Sequence, residues 1–433
     1  MASVSLAIFF PISAIAQGLM DFYKDALEND PKYQSALHER KAGKEFELIG
    51  KAGLLPSVST SLNYSANQVE DRKTFGTSQP NLNYDSKSAV LSARQPIFNW
   101  DAWQRFHGGR FQSSFSDAKL ASDKQDLILR LATAYLDALL AEDQLRLSTV
   151  QLEAYTENRI LNQQLFEKGA GTLTDVLETA ARFELANAGV LEAQNNVTYL
   201  RTELSVIVGK QPGALLSLAG KLPALHLEPT TLDDWENLSL ENNPEVLLQR
   251  FTVEFQMTEA ERLRGGHLPR IDLVASISRS TADSLATYSQ ESTLKALGFQ
   301  LSLPLYNGGG VSAQVRQAIS RVSSGQADLV AIQKKTISDV RKYFNLLNST
   351  YKKINAIERA EMAASETIKA TRRSVTGGYR VNLDVLMAIQ QLYQVEKDLS
   401  EARHAYLMTY LRLHAAAGVL NEDVLSKISV YFR

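Results

Sequence analysis

The chain repeats itself, and the repeat limits its fold more than any other feature. Asp30-Pro31 precedes Leu55-Pro56 by 25 residues, proline to proline, and Asn243-Pro244 precedes Leu268-Pro269 by the same 25. QPIFNW at 95–100 is echoed by LPLYNG at 303–308, GAGTLTDVL at 169–177 by GYRVNLDVL at 378–386, and Gly209 by Gly418. Landmarks in one order with only loop-sized drift mean that one structural unit occurs twice. The expected organisation is a first repeat over 17–209, a linker over 210–231, a second repeat over 232–425 and a tail over 426–433.

Each repeat opens with helix-forming sequence, about 19–50 and 232–264, and then changes its period. After Leu55-Pro56, Val58, Thr60, Leu62 and Tyr64 alternate with Ser57, Ser59, Ser61 and Asn63. After Leu268-Pro269, Ile271, Leu273, Ala275 and Ile277 alternate with Asp272, Val274, Ser276 and Ser278. A period of two describes strands with one oily and one mostly polar face. The strands are expected at about 57–66, 88–95, 270–278 and 297–303, with Pro56, Pro96, Pro269 and Pro304 at the helix–strand boundaries.

Long helices follow. No proline lies between Pro96 and Gly169 or between Pro304 and Gly378, and both intervals are rich in good helix formers. Leu127, Leu131, Ala134 and Ala138, like Ile337, Val340, Phe344 and Leu347, recur near heptad spacing. Helices are expected over 99–168 and 310–376, each roughly 100 Å long at 1.5 Å per residue. Glycines at 169–171 and 377–378 reverse them into partner helices over 174–208 and 382–417.

Four strands with one apolar face do not close alone, because closed barrels begin at about eight. An open edge in lipid leaves backbone groups unpaired. Other copies of the chain must therefore complete the sheet. At the N-terminus, SVSLAIFFPISAIA at 3–16 is an apolar run ending in a small-x-small site, which predicts a signal peptide over 1–16, although no Lys or Arg precedes it.

Composition excludes several functions. A net charge of −2, with no basic run, argues against a nucleic-acid surface. With no cysteine there is no disulfide, thiolate metal site or lipid on an N-terminal cysteine. The six histidines show no metal spacing such as HExxH, so packing accounts for them. Gly308-Gly309-Gly310 lacks the lysine of a phosphate loop and reads as a strand-to-helix joint, and His107-Gly108-Gly109 is an equally poor active-site candidate. No catalytic residue, metal or cofactor is expected.

The repeat, with GHLPRIDL, SLPLYNGGGVSAQV, TDVLETA, LDVLMA and AAAGVLNED, resembles the TolC family of outer-membrane channel-tunnels from about residue 19 to 425. That resemblance implies a mainly α fold with a membrane β-barrel part. Four strands per chain complete a 12-stranded barrel in a homotrimer, and antiparallel coiled-coil helices form a periplasmic tunnel. It implies the passive exit duct of a tripartite export system in the bacterial outer membrane, for type I protein secretion or drug efflux. Its partners would be outer-membrane lipid, a periplasmic adaptor, and an inner-membrane ABC transporter or proton-driven pump. A soluble periplasmic coiled-coil adaptor or scaffold is the alternative.

The resemblance also supplies candidate sites. Asp384 corresponds to an aspartate projecting into the narrow periplasmic entrance, where three copies form an acidic ring. Arg380 corresponds to an arginine tying the tip shut, and Thr174 and Asp175 to its partners. Met387 and Val375 stand where the family's best-known member carries a second ring aspartate and a gating tyrosine. A first-turn carboxylate favouring the helix dipole is the alternative account, more so for Asp175 than for Asp384.

Overall fold

A computed structural model describes residues 18–71, 73–78, 80–218, 220–282 and 290–433. The signal peptide expected over 1–16 lies outside the described residues. Helices α1 (Leu19–Asn29) and α2 (Pro31–Ala52) lead to strands β1 (Ser57–Val69), β2 (Lys73–Thr74), β3 (Thr77–Ser78) and β4 (Leu82–Phe98). Helices α3 (Trp100–Glu167) and α4 (Leu173–Val208) follow. The second repeat gives α5 (Leu232–Asn242), α6 (Pro244–Arg264), β5 (Arg270–Ala282), β6 (Gln290–Ser302), α7 (Gly310–Thr376) and α8 (Asn382–Ala416), and α9 (Glu422–Ser429) closes the chain.

Three differences from the sequence reading have physical causes. The opening helix of each repeat is two helices, broken at Asp30-Pro31 and Asn243-Pro244. The residue before proline is driven out of the α region, and Asp30 and Asn243 adopt ψ of 115° and 123°. Each then caps the following helix: Asp30 Oδ1 accepts from Tyr33 N–H at 2.6 Å, and Asn243 Oδ1 from Glu245 N–H at 2.9 Å. Second, Pro96 lies inside β4, not at its end, at a register shift between Pro96 and Phe98. A bulge is where a central strand tolerates a residue without N–H. Third, the expected tail at 426–433 completes α9, whose Leu425 and Ile428 are fully buried, and Phe432 bridges to Leu218 of the linker.

Two compact units divide the chain, cutting across the repeats. One holds the residues up to His38 together with Lys119–Leu247 and Ile332–Arg433; the other holds Glu39–Ala118 and Leu248–Ala331. The first unit has a continuous apolar core. Val340, Leu347 and Ile354 of α7 are buried seven residues apart, as are Leu399, Tyr406 and Leu413 of α8. Such seams describe helices packed side by side as in a coiled coil. Leu127, Leu131 and Tyr135 of α3, with Leu204 and Val208 of α4, join this core. Asp30, 2% exposed, sits among them. Burial pushes its carboxyl up, but a bidentate pair with Arg130, at 2.9 and 3.1 Å, holds it below the usual range. His404 and His414 are buried, each donating from Nδ1 to the carbonyl four residues back.

The second unit carries the strands. Its four-stranded sheet has order β1-β4-β5-β6, every neighbour antiparallel. Helices α2 and α3 approach backbone to backbone there. A Cβ on Gly50 would lie 2.6 Å from the Arg105 carbonyl oxygen, and one on Gly109 would overlap that of Phe46. The glycines of the His107-Gly108-Gly109 stretch thus serve packing. Trp100 also packs, its indole N–H donating to the Glu261 carbonyl at 3.0 Å. Trp103 is 48% exposed, with its ring against His107.

Candidate gate and membrane surface

The sheet has two chemically different faces. Strict alternation puts Leu62, Leu91, Ile277, Leu297 and Phe299 on one face, all exposed. The other carries a ladder of hydroxyls and amides: Ser59 bonds Ser92 at 2.9 Å, Ser280 bonds Ser292 at 2.9 Å, and Asn67 donates to Ser86 at 3.2 Å. Near the helix junctions the polar face holds Asp272, 1% exposed and paired with Arg94 at 2.9 Å and Arg270 at 3.1 Å. Sequence reasoning missed this cluster, although a lone acid within an apolar alternation was its signal.

The sheet is open at both edges. β1 and β6 each pair on one side only, and every residue of β6 is exposed. A long apolar edge strand is a template for pairing with another chain. Among the described residues no helix is long and apolar enough to cross a membrane.

The two helical tips repeat one backbone design. At the first, Gly169 takes φ of 72°, its N–H bonding the Phe166 carbonyl, while Ala170 N–H reaches back to Leu165. At the second, Gly378 takes φ of 77°, its N–H bonding Val375, while Tyr379 N–H reaches Ser374. Both are Schellman turns, which need the left-handed backbone that glycine adopts without strain. Asp175 and Asp384 then occupy the same third position of α4 and α8.

Their surroundings differ. Thr172, at the N-cap of α4, forms a capping box with Asp175, whereas Val381 caps α8 with no side-chain bond. Asp384 is half-buried and has no side-chain hydrogen bond or ion pair among the described residues. Thr174 is exposed; the threonine that holds Asp175 is Thr172. Arg380 is exposed and, within the chain, bonds neither Thr174 nor Asp175. The sequence-expected gate residues are therefore not joined inside one protomer. Behind Asp384, Val385, Leu386 and Ile389 bury against Tyr155 and Ala186, clamping the second tip to α3 and α4. Val375 packs against this cluster, while Met387 and Tyr379 are exposed. Among the described residues no acidic or histidine cluster has the makings of a metal site.

Comparison with known proteins gives consistent matches. The family model described as outer membrane efflux protein matches residues 22–210 and 235–419. The alkaline protease secretion protein AprF of Pseudomonas aeruginosa is 39% identical over 423 residues, covering 97% of this chain and 88% of that protein. The proteases secretion protein PrtF of Dickeya chrysanthemi is 37% identical, covering 97% and 92%. In fold, the crystal structure of the outer membrane protein VceC from Vibrio cholerae superposes with a TM-score of 0.79 at 18% identity, over 92% of this chain and 96% of that one.

Proposed function

Because the chain belongs to the outer membrane efflux protein family and is an outer-membrane exit duct with its helices in the periplasm, we propose that it works as a homotrimer in type I protein secretion. The observation that carries the assembly is the open sheet. Four strands with an oily face and two unpaired edges need more strands, and three copies close a 12-stranded barrel. The apolar face then meets lipid, and the serine ladder lines the lumen.

Protein export is favoured because two relatives above 35% identity, matched over almost the whole chain, are both named as secretion proteins for proteases. On this reading a periplasmic adaptor and an inner-membrane transporter supply passenger and energy. In each protomer Asp384 faces the periplasmic constriction, and Arg380 reaches Thr174 or Asp175 of a neighbouring protomer. An exposed ion pair contributes only about 0–1 kcal/mol, so a few such links bias closure without blocking opening.

The test is a cell lacking this chain. Loss of an exported protease from the medium, with unchanged sensitivity to small toxic compounds, supports protein secretion. Unchanged export with raised drug sensitivity would move the assignment to efflux. A water-soluble monomer in native mass measurement would sink the trimer.

A further inference from the structure

Among the described residues of the sheet, three basic side chains stand on the apolar face. Lys87 on β4, Arg279 on β5 and Lys295 on β6 share that face, because Ala89 pairs with Arg279 and Ile277 with Lys295. They step by two residues of register from strand to strand, a diagonal whose neighbours lie about 7–8 Å apart. Long side chains bridge that spacing. Lys87 lies 5.7 Å from the centre of the Tyr64 ring and has no carboxylate partner among the described residues. Arg279 has only a loose contact with Glu291 at 3.4 Å, both side chains being well exposed. A shallow groove of about 320 Å³ runs between Leu62, Tyr64, Lys87, Ala89, Arg279 and Thr281.

The position matters as much as the charge. Lys87 lies beyond Leu91 on β4 and Arg279 beyond Leu273 and Ile277 on β5, toward the β1–β4 and β5–β6 connections and away from the four helix junctions, while Lys295 stands opposite Ile277 on the rung of Leu91. With the helices in the periplasm, that end of the sheet meets the outer leaflet. A cation is costly at mid-membrane on a barrel and far less so at the interface, so the headgroup level is where lysine and arginine are tolerated. Polar rim residues alone would satisfy that level. An ammonium group without a carboxylate partner among the described residues, and a guanidinium held only loosely by Glu291, beside an aromatic and an oily groove have a more particular complement: phosphate on an acylated lipid.

We propose that Lys87 and Arg279, with Lys295 beside them, bind the phosphates of a phosphorylated glycolipid of the outer leaflet, whose acyl chain lies along the groove at Leu62. Phosphate bridges the two cations, replacing the loose Glu291 contact, and the acyl chain covers apolar surface that the sheet leaves bare. The site rests on the barrel reading given above.

The test uses the detergent-purified trimer in native mass spectrometry with a bis-phosphorylated, multiply acylated glucosamine disaccharide as probe. The protein should retain it at one per protomer, and the Lys87→Gln/Arg279→Gln double variant should bind about tenfold more weakly or worse. The charge-keeping pair Lys87→Arg/Arg279→Lys should bind like the parent. The same lipid stripped of phosphate should bind as weakly as the neutral variant, and millimolar inorganic phosphate should not displace the probe. Equal binding by the neutral variant, or by the phosphate-free lipid, overturns the site, as does displacement by inorganic phosphate. Bilayer recordings on each preparation separate the two failures. Intact channels without lipid discrimination sink only the lipid site, whereas a preparation that forms no channels sinks the barrel reading as well.

Discussion

Thr172 and Asp175 hold each other at the first helical tip: the Thr172 N–H and hydroxyl donate to Asp175 Oδ2 at 3.2 and 2.6 Å, and Asp175 N–H returns a bond to Thr172 Oγ1 at 3.1 Å. Val381 occupies the same place at the second tip, and Asp384 is left without that partner. One substitution between the repeats thus separates a capping carboxylate from an unengaged one.

A threonine at position 381 should capture Asp384 in the same way. Val381→Thr is expected to stabilise the start of α8 by about 0.5–2 kcal/mol. It should also weaken cation selectivity in planar bilayers, in the direction of Asp384→Asn. Unaltered selectivity in both variants would leave Asp384 as an ordinary first-turn acid.

If Arg380 draws neighbouring tips together as proposed, Arg380→Ser should raise single-channel conductance, while Asp384→Asn should leave conductance low. The two changes are read in the same recordings. Equal conductance in parent and Arg380→Ser would exclude the arginine from the gate.

The faces of the sheet should respond differently to charge. Leu62→Asp and Leu273→Asp place an acid against lipid and should reduce assembled trimer in the membrane fraction. The cost stays below the roughly 2–4 kcal/mol of a basic residue at mid-membrane. Ser59→Asp and Ser276→Asp, on the polar face, should assemble normally. Similar losses on both faces would mean the alternation is wrongly oriented.

Gly109→Ala should destabilise by about 1–3 kcal/mol, since its methyl has to displace the Phe46 carbonyl of α2. Gly189→Ala, in open space on α4, should be neutral or slightly stabilising. Thermal denaturation midpoints of the two variants give the comparison.

Burial pushes the His414 imidazole down to about 4, from an ordinary value near 6.5. The unfolded chain therefore takes up a proton between those values that the folded chain refuses. Stability from this residue is complete above about pH 6.5 and is lost as pH falls toward 4, by roughly 3 kcal/mol. His414→Gln should flatten denaturation midpoints measured across that window. A parent profile as flat as the variant's would show that the site admits the proton.

Much of this was legible in the residues themselves. The repeat, the period of two after Leu55-Pro56 and Leu268-Pro269, and the proline-free helical intervals are local signals, because backbone geometry imposes them on neighbouring residues. The same locality explains the tip glycines, since a Schellman turn is made by a few consecutive residues. The oily strand faces also followed from alternation alone, and with them the need for further strands.

Other features needed the chain to be folded. Asp272 meets Arg94 only because β4 and β5, drawn from different repeats, lie side by side, a pairing that spans 178 residues of sequence. Gly109 meets Phe46, and Asp30 meets Arg130, for the same reason: helices distant in sequence pack together. The tips show the division most clearly. Sequence makes Asp175 and Asp384 equivalents, and Thr172 against Val381 is visible in it, but only the folded turn shows which carboxylate that difference engages. Periodicity reports the environment of a face, whereas a particular bond depends on which atoms tertiary packing brings within reach.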